Sequence, residues 1–149
     1  MNRRKQKKLS GRLVVAAAFG DADEVRVLLR AGARPDMADA DGTTPLYAAS
    51  VEGAAGIVRL LLAAGAPPDE ESGHLTEGTP LCAAACWGHV ETVRELLAYG
   101  ADPGLREDRG TGRSPLDWAL GGPHPETVAA LLAAGARPHG GSPPEGPLP

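Results

Sequence analysis

The chain is short of aromatic residues: one Phe, two Trp and two Tyr make up 3% of its 149 residues. A core without large rings has to be built by close helix approach, with Ala at the contacts and Leu and Val filling the gaps. That favours helix packed on helix. Cysteine is equally scarce, and Cys82 with Cys86 excludes a disulfide framework. No apolar run approaches the roughly 20 residues that a bilayer-crossing helix needs. Fourteen prolines and twenty glycines also exclude a bundle of long uninterrupted helices, because each Pro starts or ends an element. Many short elements fit better.

Lysine is absent beyond the first eight residues. Arg3, Arg4, Lys5, Lys7 and Lys8 put +5 on that segment, and the remaining ten basic and nineteen acidic residues leave −9 on the rest. The bias toward Ala, Gly, Pro and Arg points to a GC-rich bacterial genome. The basic start followed by Leu13-Val14-Val15-Ala16-Ala17-Ala18 imitates a signal peptide with an Ala-x-Ala cleavage pattern. On that alternative the protein is a secreted or envelope-associated factor. Against it, the apolar stretch is short and falls into the repeat register that follows.

Four Gly-Ala pairs, at Gly32, Gly65, Gly100 and Gly135, are spaced by 33, 35 and 35 residues. Ahead of each pair stands Leu-Leu (Leu28, Leu61, Leu96 and Leu131 are the first of each), and three residues before that stands Val25, Val58, Val93 or Val128. This i, i+3, i+4 stripe is the buried face of a short amphipathic helix, and the Gly after it supplies the residue that stops the helix. A second helix precedes each of these. Thr44-Pro45-Leu46, Thr79-Pro80-Leu81 and Ser114-Pro115-Leu116 carry one start signal, a capping hydroxyl with Pro in the first turn. Small residues (Ala16-Ala17, Ala49-Ser50, Ala84-Ala85) let the partner helix come close, and Gly20, Gly53 and Gly88 turn the chain. The reading is an all-α repeat solenoid of four helix-turn-helix units joined by Gly/Asp-rich β-hairpin loops. Its predicted parts are a basic flexible tail over 1–8, units over about 9–38, 39–71, 72–106 and 107–138, and a disordered Gly/Pro tail over 139–149.

The segment from Thr79 to Asp102 closely resembles an ankyrin repeat, TPLHxAAxxGHxxxVxxLLxxGA, with Cys82 in the histidine slot as its one departure. The unit at 44–66 is similar, with Tyr47 in that slot and Ala54 in place of the second histidine. The end units deviate, as the ends of a stack do: Ser10-Gly11-Arg12-Leu13 replaces Thr-Pro-Leu, and Gly121-Gly122-Pro123 is expected to shorten the first helix of unit four. The resemblance implies a protein–protein interaction module in the cytoplasm, monomeric and without cofactor or small-molecule substrate.

Cys82, Cys86 and His89, at i, i+4 and i+7, suggest a metal corner, but a structural zinc site needs four ligands and no fourth has an obvious place. His89 matches the turn histidine of the family. Asp117, His124 and Glu126 form the other acid–base group, yet no nucleophile elbow or phosphate loop accompanies them, and Ser114 reads as a cap. No catalytic residue follows. The basic start lacks interleaved aromatics and precedes an acidic body that repels phosphates, which disfavours nucleic acid.

Partner binding is expected on the concave side that ankyrin-like arrays present, made by first helices and hairpin tips. Phe19 and Trp87 each occupy the slot before a turn Gly, with Val51 and Glu52 in the corresponding slots between them and Cys86 beside Trp87. Tyr99, before Gly100, is placed on the same side. Thr43 and Arg113 precede the caps Thr44 and Ser114 and complete the set. The alternative for Trp87 is a ring folded back over the helix to shield the Ala-rich core.

Overall fold

A computed structural model describes residues 1–138; the expected Gly/Pro tail, 139–149, lies outside the described residues. Four helix pairs follow one another: α1 (Arg3–Ala18) and α2 (Ala22–Arg30), α3 (Pro45–Glu52) and α4 (Ala55–Ala63), α5 (Pro80–Trp87) and α6 (Val90–Ala98), and, after the single turn α7 (Glu107–Gly110), α8 (Pro115–Leu120) and α9 (Pro125–Ala133). First helices pack in series, α1 on α3, α3 on α5 and α5 on α8, and second helices do the same as α2, α4, α6 and α9. The result is a two-layer helical solenoid.

The start and stop signals act as their chemistry requires. The hydroxyl oxygens of Thr44, Thr79 and Ser114 accept from the N–H groups of Tyr47, Cys82 and Asp117, satisfying donors that have no partner within the helix. At the end of α6, Gly100 N–H donates to the Leu97 carbonyl and Ala101 N–H to the Leu96 carbonyl, and the same pair of bonds closes α2, α4 and α9. Val25, Val58 and Val93 are wholly buried, as are Leu61, Leu96 and Leu131. Leu62 is buried as well, but the second leucine of the other pairs is less covered, Leu29 and Leu97 only in part and Leu132 50% exposed. The stripe therefore points the first leucine at the core and the second toward its edge.

Two features differ from the sequence reading, and a third follows it. The basic segment, expected to be a flexible tail, is the first part of α1. Asn2 caps the helix by accepting from Lys5 N–H, Gln6 Nε2 donates to the Gly32 carbonyl at 2.9 Å, and Leu9 is buried. No helix breaker separates Arg3 from Ser10, so the run of good helix formers continues upstream of the core. Between units two and three, and again between three and four, the connections are hairpins with little strand character. Ser72 and Gly78 form an isolated bridge, and the tips carry His74, Asp108 and Arg109 at positive φ. In unit four, α8 has six residues where α3 and α5 have eight, the shortening that Gly121-Gly122-Pro123 led one to expect.

Candidate interaction surface

The carboxyl-terminal ends of the first helices form a row, because those helices stack one on the next. Phe19 caps α1 and is 82% exposed; Trp87 ends α5 and is 62% exposed. Trp87 does not fold back over the helix. Val51 and Glu52 end α3 between them, both exposed, and Cys86 beside Trp87 is half-buried. The Glu52 carboxylate reaches toward the turn of unit one, with Oε1 3.8 Å from where a Cβ on Gly20 would stand. At about 8–10 Å per layer, Phe19 and Trp87 lie roughly 20 Å apart on this row. Leu120, the last residue of α8, is also exposed, two positions short of the register of that row, and the sequence reading missed it. An apolar residue directly before a Gly turn was the signal that could have found it.

Histidines tie the row together. His89 Nε2 donates to the Val51 carbonyl and His124 Nε2 to the Cys86 carbonyl, each at 3.0 Å and each crossing to the preceding unit. His124 thus does in unit four what His89 does in unit three, and neither faces a reaction partner. Ala54 holds this slot in unit two and makes no such bond.

Thr43 and Arg113 sit at the opposite ends of the first helices, beside the hairpins. Thr43 Oγ1 donates to Glu77 Oε1 at 2.8 Å, a carboxylate oxygen that also accepts from Ser72 Oγ. The Arg113 guanidinium lies 4.8 Å from the centre of the Trp118 ring. Trp118 Nε1 in turn donates to Glu107 Oε2 at 3.1 Å, and a Cβ on Gly78 would stand 2.2 Å from Glu107 Oε1, so glycine there makes room for the carboxylate. Burial, and secondarily the charge of Asp108, raises the pKa of Glu107 against the opposing Trp118 bond. Burial also raises Tyr47, with Glu77 and Glu107 adding to it. Trp118, Tyr47 and Glu107 were not among the expected binding residues. Trp118 occupies the register position of Ala48 and Ala83, so periodicity marked it only as a packing slot.

Tyr99 corrects the sequence reading. It caps α6 in the second-helix layer, the layer in which the Arg59 guanidinium of α4 donates to Glu95 Oε1 of α6 at 2.7 Å. The structure therefore separates the expected residues into a row at the turns (Phe19, Val51, Glu52, Cys86, Trp87), a pair at the hairpins (Thr43, Arg113), and Tyr99 on the other layer.

Cys82, Cys86 and His89 do not converge. Cys82 is buried with its Sγ 3.7 Å from the Arg113 carbonyl, Cys86 is half-buried, and His89 is committed to Val51. Burial pushes the Cys82 thiol far above its ordinary range, which leaves little thiolate for nucleophilic or metal chemistry. Among the described residues no helix is long and apolar enough to cross a membrane.

No curated protein matches the chain. A family model described as Ankyrin repeats (3 copies) matches residues 12–72 and again residues 68–140, and together these spans run from the second half of α1 through every later helix of the stack. The match covers most of the chain, and the chain belongs to the ankyrin repeat family.

Proposed function

We propose that this chain is a non-catalytic protein-binding module of four repeat units that seats its partner on the side made by the first helices and hairpin tips. Ankyrin repeats are in general protein–protein interaction modules. The observation that carries the finer reading is the row of apolar side chains at the turns. Phe19 and Trp87 stand in water on a scaffold whose core is filled by Leu, Val and Ala, so packing does not account for them. Exposed Trp is a common interface anchor, whose truncation often costs about 2 kcal/mol or more. Thr43 and Arg113, with the Glu77 and Glu107 carboxylates, would contribute a polar second contact at the hairpins.

The same reading keeps the protein in the cytoplasm as a monomer. Cleavage after Ala18, which a signal segment would require, removes α1 and with it Leu13, Val14, Ala16 and Ala17 from the core. Amino-terminal sequencing of the mature protein separates the two readings.

The decisive experiment pairs stability with capture. Immobilised wild type and Trp87→Ala are exposed to extract of the native cell, and retained proteins are identified by mass spectrometry. The expected result is an unchanged unfolding midpoint together with at least about tenfold weaker retention of one protein. A large loss of stability with retention per folded molecule intact would assign Trp87 to the core and remove the site.

A further inference from the structure

The outer side of α1 has no counterpart within the chain. Val15 occupies the register position of Ala48 and Ala83, which are 8% exposed where α1 packs on α3 and α3 on α5; Val15 is 56% exposed. Beside it runs a groove of about 620 Å³. Gly11, Val15, Ala16 and Phe19 of α1 line it. Lys7 and Lys8 line its amino-terminal end, and Asp21 and Glu24 its far rim.

Three observations describe what fits. First, Val15 puts a branched apolar side chain where the interior units carry Ala, and no helix of the chain covers it. Second, Gly11 stands in the middle of a sixteen-residue helix, and a Cβ there would meet nothing within 4 Å. Glycine in a helix interior is destabilising, and no contact within the chain explains it. What it does is bare the backbone along the groove, where an incoming backbone can come close. Third, the charge is divided. Arg12 is engaged by Glu24 at 2.6 Å, whereas Lys7 and Lys8 enter no ion pair among the described residues, and Arg3, Arg4 and Lys7 line the adjoining cleft.

We propose that this groove is a second docking site, for an amphipathic helix of a partner protein whose apolar stripe lies on Gly11, Val15 and Phe19 and whose carboxylates pair with Lys7 and Lys8. A phosphate-bearing surface, lipid or nucleic acid, would meet Asp21 and Glu24 on the same groove and a body of net charge −9 behind it. The site shares only Phe19 with the row at the turns, and Trp87 has no part in it.

The test is a titration of isotope-labelled full chain with a synthetic helix of about 18 residues, long enough to lie along α1. Leu occupies one stripe of that peptide and Glu its flanks; a control carries Lys for Glu. Parallel arms use vesicles of phosphatidylserine in phosphatidylcholine and a short DNA duplex. The expected result is saturable shifts of backbone amides between residues 7 and 19 with the Glu peptide alone. Lys7→Glu with Lys8→Glu should weaken it about tenfold or more, most at low salt. Gly11→Leu should abolish docking while the unfolding midpoint holds or rises, because leucine is the better helix former and the space beside it is open. Trp87→Ala should bind the peptide as wild type does. The proposal is overturned by absence of saturable shifts with the Glu peptide, by equal binding of the Lys peptide, by undiminished binding to Gly11→Leu, or by matching shifts with vesicles or DNA.

Discussion

Interior and end units share one stripe of Val and Leu but differ in bulk. Ala17, Ser50 and Ala85 hold one register position and are wholly buried; unit four puts Leu120 there, exposed. Ala48 and Ala83 hold another, and unit one puts Val15 there. Where a helix is pressed from both sides, close approach leaves room for a methyl group and little more. Where one side is open, a larger side chain is tolerated and stands in solvent. The small residues of the interior are thus dictated by the neighbouring unit and not by the needs of their own helix.

The largest test of this contrast is at the leucines. Leu97→Ala, with a neighbour on both sides in unit three, should cost about 2 kcal/mol or more, and Leu132→Ala, in the same slot but half-exposed in unit four, under about 1 kcal/mol. Urea unfolding of both variants measures it, and equal losses would contradict a linear array. Amide exchange sharpens the same point, since α9, with Val128 only partly covered, should open before α4 and α6.

The turn glycines come next. Gly88 has φ of +72°, and a Cβ on it would stand 2.3 Å from His124 Nδ1, so Gly88→Ala should cost about 1–3 kcal/mol. Gly121, which ends α8, has φ of −72°, with the nearest foreign atom 3.4 Å from an added Cβ. Gly121→Ala should be neutral or stabilise by about 0.4–1 kcal/mol through the unfolded chain. Thermal unfolding of the two variants should move in opposite directions or at least differ clearly; identical shifts would mean that the two turns are equivalent after all.

The smallest effect is electrostatic and lies at the junction of interior and end. Burial raises the pKa of Glu107, so the folded state holds its proton more tightly than the unfolded chain does. Stability from this group is therefore present below the unfolded value of about 4.3 and is lost as pH rises through the folded value. Glu107→Gln keeps an acceptor for Trp118 Nε1 and removes the charge. It should stabilise at neutral pH by no more than about 1 kcal/mol, given solvent screening, and the advantage should vanish below about pH 4. A pH-independent difference would mean that packing against Gly78, and not charge, governs the site.

Much of the fold was legible because its signals are local. A hydroxyl before Pro, a Gly after Leu-Leu, and a 3.6-residue stripe each act within one turn of helix, and Thr44, Thr79, Ser114 and Gly100 do in space what their neighbours in sequence implied. The candidate site was legible in part. Phe19, Val51, Glu52, Cys86 and Trp87 share a row because their slots recur in register. Tyr99 was legible as the end of a second helix, but which side of the stack that end presents depends on how the two layers pack, which no local pattern states. The Arg113–Trp118–Glu107 cluster escaped notice because Glu107 and Arg113 belong to a hairpin whose fold depends on the unit before it.

The sequence by itself determined that the chain is a repeat array, where the hydroxyl-capped first helices begin and the second helices end, and which stripe those second helices bury, since these follow from backbone capping and side-chain periodicity. Only the tertiary structure decided how far α1 runs, which leucine of each pair is fully covered, and which exposed side chains meet. Those depend on what each residue encounters across a gap, Gln6 on the Gly32 carbonyl, His124 on the Cys86 carbonyl, Trp118 on Glu107, and such encounters are set by the stacking of units distant in sequence.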